Sequence, residues 1–389
     1  MLNHRKSMCL VVATLAAVWA LPAPAASPPE QLGVSSRQLG YVDPLLEQAY
    51  NDGQFCGCVL LAGRRDGVFL ERVVGDRQVE PVRKPMEIDS VFDLASLTKP
   101  VATATSVMLL VERGQVRLSD PVSQYLVELD RDATRDVTID QLLTHAAGFV
   151  PDNSIRDYQD GPAEAWRRLL ALDPQKPPGH VFQYSDVNFE LLGKLVERVD
   201  GRPLERFVAD ELFEPLGMND TMFLPTEPLQ RRAVATEQRD GEWLVGEVHD
   251  PRAALLGGVA GHAGLFSTAA DLARYAQMML GEGSVENVRV LSPLTVREMI
   301  RPRVVAEARR GAGWDVRSPY SKNRGDLLSD AAFGHGGFTG TVLWIDPQLD
   351  LFVVFLSSRL HPDGDGVVND LAGRLGTVVA AAIVEPAGE

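Results

Sequence analysis

Apolar positions fall into two rhythms along this chain. Near both ends they form short β-rich runs. Residues 56–62 and 68–74 flank Arg64-Arg65-Asp66-Gly67, and residues 338–345 and 351–357 flank Asp346-Pro347-Gln348-Leu349-Asp350. A loop closing in Asp-Gly between such runs predicts a hairpin, and the second pair repeats the design. Residues 42–50 and 367–384 have helical spacing, the first closed by Asp52-Gly53. The long middle, 97–330, is dominated by helical patterns such as 191–199 and 269–280, the latter behind a Ser267-Thr268 cap signal. Strands at both ends and helices between them predict an α+β fold. An antiparallel sheet built from both chain ends (about 36–95 and 331–389) is flanked by helices, and a mostly helical part (about 96–330) is inserted. The cleft between the two parts is where an active site is expected. Residues 301–329, rich in Arg, Gly and Ser, are expected as a mobile loop.

Composition narrows the function. The 389 residues are 45% hydrophobic and 23% charged, enough for a sizeable core, with a net charge of -15 and no basic stripe interleaved with aromatics. Nucleic acid and anionic membrane surfaces are therefore poor partners, and a small substrate is the better expectation. At the amino terminus His4-Arg5-Lys6 precedes an apolar stretch over 8–21 and then Ala23-Pro24-Ala25-Ala26. This pattern predicts a signal peptide over 1–26, a mature chain from 27 to 389, and a secreted or periplasmic location. A retained amino-terminal anchor is the alternative, and no other segment reaches the length of a membrane span. Cys9 precedes the cleavage point, and Cys56 and Cys58 would point to opposite faces of a strand, so no disulfide is expected. The seven histidines form no metal-ligand pattern, and neither a metal nor a cofactor is expected.

The candidate chemistry begins at Asp93-Leu94-Ala95-Ser96-Leu97-Thr98-Lys99-Pro100. Residues 90–95 read as a short strand entering a turn, and 101–112 as an apolar helix ending at Arg113-Gly114. At the start of that helix, Ser96 and Lys99 share a face one turn apart, a hydroxyl nucleophile beside an amine. Backbone N–H groups at a helix start favour developing negative charge, and Pro100 suits the first turn. The amine serves as a base only if its pKa is depressed. Two further segments suit such a site. Phe182-Gln183-Tyr184-Ser185-Asp186-Val187-Asn188 offers a phenol able to pass a proton. Phe333-Gly334-His335-Gly336-Gly337-Phe338 offers glycines beside a strand, where a backbone N–H could face a substrate oxyanion.

Taken together, Ser96-Leu97-Thr98-Lys99, Tyr184-Ser185-Asp186 and His335-Gly336-Gly337 resemble the ordered motifs of the serine β-lactamase and penicillin-binding-protein-like family, in the branch of class C β-lactamases and related esterases. Leu142-Leu143-Thr144-His145-Ala146-Ala147-Gly148 and Gly264-Leu265-Phe266-Ser267-Thr268-Ala269 extend the resemblance over nearly all of the mature chain. The resemblance implies the β-lactamase/transpeptidase-like fold, with Ser96 as acylated nucleophile, Lys99 as its proton acceptor and Tyr184 as general base or relay. It further implies an oxyanion hole from the N–H groups of Ser96 and Phe338, with His335, Gly336, Gly337 and Asp186 lining the substrate site.

Two positions depart from the family pattern. Asp186 stands where the family has an amide, and an ionised carboxylate cannot donate to a substrate carbonyl; it is placed to pair with Lys99 instead. Asn188 is the alternative amide. His335-Gly336-Gly337 replaces Lys-Thr-Gly and so lacks a fixed charge and a hydroxyl for a substrate carboxylate. His262 is a candidate cleft residue, and His145 is read as structural. The expectation is a serine hydrolase acting on small ester, amide or peptide substrates, carboxylesterase-like, with a D-alanyl-D-alanine carboxypeptidase or β-lactamase as the alternative. A peptidoglycan-peptide binder without activity is the contrasting class.

Overall fold

The computed structural model describes residues 26–384, so the expected leader lies outside the described residues apart from Ala26. The amino-terminal hairpin is present. β1 (Gly57–Arg64) turns through Arg65-Asp66 into β2 (Gly67–Gln78), and β3 (Lys84–Pro85) pairs with its outer edge. Six strands come from the other end of the chain: β4 (Arg303–Val305), β5 (Ala308–Arg310), β6 (Asp315–Arg317), β7 (Phe333–Gly337), β8 (Thr341–Asp346) and β9 (Leu351–Ser357). Together they form one antiparallel sheet in the order β4-β5-β6-β7-β8-β9-β1-β2-β3. The two chain ends meet where β9 pairs with β1, Cys58 opposite Ser357 and Gly63 opposite Phe352. Cys56 and Cys58, the cysteines among the described residues, are free.

The central strands are buried on both faces, which explains their near-continuous apolar sequence. Successive side chains alternate between two cores. Leu60, Val353 and Phe355 face a core built with α1 (Val42–Asn51) and, from the far end of the chain, residues Leu371 and Leu375. Val59, Leu61, Phe352 and Val354 face a larger core shared with the helical part. That part includes α2 (Thr105–Glu112), α3 (Asp186–Asp200) and α4 (Ala269–Leu280). The last helix, α5 (Asn369–Ala381), supplies Leu371 and Leu375. Burying a side chain such as Phe352 contributes about 2 kcal/mol. The cap signal before α4 is realised, since the Thr268 hydroxyl accepts from Asp271 N–H at 3.2 Å.

Two expectations are corrected. Residues 301–329 are not a loop: they carry β4, β5 and β6, so the carboxy-terminal share of the sheet begins at Arg303 rather than near 331. The arginines disguised these strands. Arg303 is buried against Asp140 and Glu298, and Arg310 against Asp315, so charged residues occupy positions where an apolar alternation was sought. The expected strand over 338–345 begins only at Thr341, because Phe338, Thr339 and Gly340 form the turn from β7 to β8. Among the described residues no helix is long and apolar enough to cross a membrane.

Candidate active site

Ser96 sits on a strained turn. Phe92–Asp93 pairs with Leu265–Ser267 in a small three-stranded sheet, and the Leu94 N–H donates to the Leu265 carbonyl at 2.9 Å, fixing the chain as it enters the turn. Ala95 then adopts φ 45°, a left-handed conformation uncommon outside glycine. The buried Asp93 carboxylate holds it there, accepting the Ala95 N–H at 2.8 Å. Ala95–Leu97 form a single 3-10 turn and Lys99–Ala104 a π-helical stretch that leads into α2. The helix start read from sequence is thus real but irregular, and Pro100 occupies its first turn. Such wide turns recur at functional sites.

Lys99 has no exposed surface, and its ammonium is held by two hydrogen bonds and an ion pair. Its Nζ lies 2.9 Å from Ser96 Oγ, 3.1 Å from the His262 carbonyl and 2.6 Å from Asp186 Oδ1, with the Tyr184 ring centroid 5.1 Å away. Burial works against the ammonium, but Asp186 and Tyr184 outweigh it, and the lysine pKa rises above its ordinary value. The depressed pKa expected of a lysine base is therefore not found. Tyr184 is raised as well, chiefly by burial and against the pull of Lys99. At neutral pH the resting pair is an ammonium beside a neutral phenol.

Behind Lys99 runs a buried ionic chain. His262 Nε2 is 3.0 Å from Asp250 Oδ1, and its Nδ1 is 3.5 Å from Glu190 Oε1, which also accepts from the Tyr158 hydroxyl at 2.8 Å. Burial would discharge the imidazole, but Asp250 and Glu190 push its pKa up to about 9. Burial pushes Glu190 up to about 7. Donor atoms of Asp186, Asp250 and His262 lie within 4.8 Å of one another, as metal ligands would. Here the Lys99 ammonium already fills the cation position beside Asp186, and Asp250 already pairs with the imidazole.

The sheet supplies the opposite wall of a cleft of about 390 Å³, lined by Ser96, Tyr184, Arg310, His335, Gly337 and Phe338 among others. His335 on β7 is buried. Its Nδ1 lies 2.7 Å from the Gly336 carbonyl and so carries the hydrogen, which leaves Nε2 as a bare acceptor with no partner. Burial, Arg310 and Lys99 hold its pKa well below the usual histidine range, so the ring is neutral. Phe338 is exposed, its ring stacked on His249 at 5.3 Å and under the Arg359 guanidinium at 4.5 Å. A side chain at Gly337 would place its Cβ 2.4 Å from the Leu94 carbonyl, so only glycine lets β7 pass this close to the nucleophile turn.

The structure thus gathers Ser96, Lys99, Tyr184, His335, Gly336, Gly337 and Phe338 at one cleft. Three candidates stand elsewhere. Asp186, expected to line the substrate site, is spent on Lys99. Asn188 is fully buried in α3, with its amide 3.4 Å from the Leu142 carbonyl. His262 does not line the cleft; it serves Lys99 through its carbonyl from behind. His145 is structural as expected: its Nδ1 accepts the Ser185 N–H at 3.1 Å and its ring packs 4.4 Å from that of Tyr184. Sequence reasoning missed Arg310, Asp93, Asp250 and Glu190. Arg310, Asp250 and Glu190 stand in no motif and acquire meaning only through contacts made in the fold; Asp93 opens the nucleophile run, but its second partner, the His249 N–H, comes from far along the chain.

Comparison with known proteins bears on the family and the fold. The family model described as Beta-lactamase matches residues 42–377. A protein of Salmonella schwarzengrund named "Putative D-alanyl-D-alanine carboxypeptidase" is 31% identical over 375 residues, covering 86% of this chain and 85% of its own. A protein of the same name from Escherichia coli O157:H7 is 30% identical over 376 residues, with the same coverage. Among solved structures, a penicillin-binding protein homologue from Caulobacter crescentus superposes with a TM-score of 0.73 at 22% identity, over 90% of this chain and 99% of that one. A family VIII carboxylesterase gives 0.71 at 20% identity, over the same 90% and 99%. At that identity the likeness speaks to the fold.

Proposed function

Because the chain belongs to the beta-lactamase family of serine hydrolases, we propose that it cleaves ester or amide substrates bearing a free carboxylate, through an acyl-enzyme on Ser96. The observation that carries the acylation step is Lys99 Nζ at 2.9 Å from Ser96 Oγ at the floor of the cleft. Ser96 Oγ attacks the scissile carbonyl and its proton passes into the Lys99–Tyr184 pair. The carbonyl oxygen becomes an oxyanion between the Ser96 and Phe338 N–H groups. Collapse of this intermediate breaks the bond to the alcohol or amine, which leaves with the proton. Water then attacks the acyl-enzyme by the same route, releasing the acid and restoring Ser96. Since the resting pair is ammonium and phenol, one proton leaves it before attack, and the rate rises with pH up to that ionisation.

Arg310 supports the carboxylate. It lines the cleft, is 1% exposed, pairs through Nη1 with Asp315 at 3.3 Å, and keeps Nε and Nη2 without a hydrogen-bond partner. An unmatched guanidinium donor is costly to bury and suits a substrate carboxylate. It replaces, from another strand, the charge that His335 does not carry. The D-alanyl-D-alanine carboxypeptidase named for the relatives fits this reading, since such peptides end in a free carboxylate. A neutral-ester hydrolase is the second reading, favoured by the uncharged His335. The deciding measurement compares a D-alanyl-D-alanine peptide, its carboxyl amide and a p-nitrophenyl ester. Preference for the free acid over its amide supports the proposal, and equal rates overturn its carboxylate half. Fluorophosphonate labelling read by intact mass tests the nucleophile, and an adduct that survives Ser96→Ala overturns it.

A further inference from the structure

The two N–H groups offered to the oxyanion belong to chain segments far apart in sequence, Ser96 on the nucleophile turn and Phe338 after β7, and they must converge on one oxygen. The contacts joining these segments are unusually direct. The Thr339 hydroxyl donates to the Asp93 carbonyl at 2.7 Å, and the Thr341 hydroxyl to the Leu94 carbonyl at 3.0 Å. Both threonines are buried. The Asp93 side chain adds two links. One oxygen accepts the Ala95 N–H at 2.8 Å, and the other accepts the His249 N–H at 2.6 Å. The His249 ring in turn stacks on Phe338, at 27° and 5.3 Å. Each segment is therefore held to the other by hydroxyl-to-carbonyl bonds and, through Asp93, by a path around the 249 loop.

We infer that Asp93, Thr339 and Thr341 form a clasp that sets the separation of the two oxyanion donors, making them positioning residues for acylation. None of the three lines the cleft. They act by geometry alone. Oxyanion donors are effective only within a few tenths of an ångström of the hydrogen-bond distance, about 2.7–3.1 Å. Without the clasp Ala95 can relax from its left-handed φ and carry the Ser96 N–H with it. This inference rests on the acyl-enzyme reading of Ser96.

The test uses Thr339→Val, which keeps the shape and removes the hydroxyl, with Thr339→Ser as the conservative restoration. Hydrolysis of p-nitrophenyl acetate gives kcat and KM, and inhibition by phenylboronic acid reports on the tetrahedral oxyanion site. The valine variant is expected to lose roughly tenfold to a hundredfold in kcat with KM little changed, below the loss for deleting a donor outright. Phenylboronic acid should weaken in parallel, and the serine variant should restore both. Thr341→Val provides the same readouts should Thr339→Val fail to fold. Unchanged kcat and boronate affinity in a folded valine variant overturn the clasp, as does a loss confined to KM. Fluorophosphonate labelling of the wild-type protein separates the two ideas. A wild type without an adduct on Ser96 overturns the acyl-enzyme reading, whereas a labelled wild type with an unaffected Thr339→Val overturns the clasp alone.

Discussion

Two cations are buried at the cleft, and they differ in how many of their donors are engaged. Lys99, on the helical wall, donates to Ser96 and the His262 carbonyl and is ion-paired with Asp186. Arg310, on the sheet wall, spends one nitrogen on Asp315 and leaves two without hydrogen-bond partners. A saturated cation can trade protons with its neighbours but has nothing left for a ligand. An unsaturated one, held neutral overall by its carboxylate, has capacity for a second anion. On the proposed mechanism, proton handling and substrate recognition fall to opposite walls.

Breaking the saturated side should have the largest effect. Lys99→Ala is expected to lower kcat/KM for every substrate by at least about a thousandfold, since nucleophile and base act as one unit. Circular dichroism would show the fold retained, and near-normal turnover would undo the assignment. Breaking the unsaturated side should be selective. Arg310→Gln forfeits a charge-assisted hydrogen bond worth about 2 kcal/mol, roughly thirtyfold in kcat/KM, for carboxylate substrates only. Because Arg310→Gln also leaves the buried Asp315 unpaired, Arg310→Lys is the companion. It keeps a charge for Asp315 while losing the forked geometry, and should show a smaller defect in the same direction. An equal fall for neutral esters would contradict the division.

Smaller again is the effect of loosening Lys99 from its anion. Asp186 raises the lysine pKa, so Asp186→Asn removes an anion that favours the ammonium and frees amine at lower pH. The acid limb of the kcat/KM profile should move down by about one unit. An unmoved limb would show that another group sets it. The smallest expected effect is on stability. His262 is raised from 6.5 to about 9, with Asp250, Glu190 and Asp186 facing it and burial opposing them. Its folded-state pKa exceeds the unfolded value, so its contribution is fully present below about pH 6.5 and lost as pH rises through about 9. Between pH 7 and 10 the thermal midpoint of the wild type should fall more than that of His262→Gln. Parallel curves would mean that the imidazole is not charged in the fold.

The legible parts of this molecule share a physical cause. The first hairpin, α4 and the nearness of Ser96 to Lys99 were legible because each depends on neighbours within a few residues, where periodicity, caps and spacing act directly. The misread stretch 301–329 failed for the opposite reason. Arg303 and Arg310 are tolerable in buried strands only because Asp140, Glu298 and Asp315 neutralise them, and no local pattern announces that pairing. Arg310 was lost along with its strand. The pairing of Asp186 with Lys99 was legible because its departure from an amide is visible as chemistry, whereas the cleft positions expected for Asp186, Asn188 and His262 were not realised, because orientation on a helix or loop is settled by packing.

The sequence by itself determined an antiparallel sheet made from both chain ends, a helical insertion, and a serine one turn from a lysine, since these follow from alternation, capping and helical spacing. Only the tertiary structure decided the charge state and surroundings of that lysine. Its pKa depends on burial and on Asp186 from α3. Only the fold, likewise, brought Arg310 to the same cleft and tied Asp93 to Thr339, across 246 positions of chain. Electrostatic energies depend on distance in space, and a sequence specifies that distance only once it has folded.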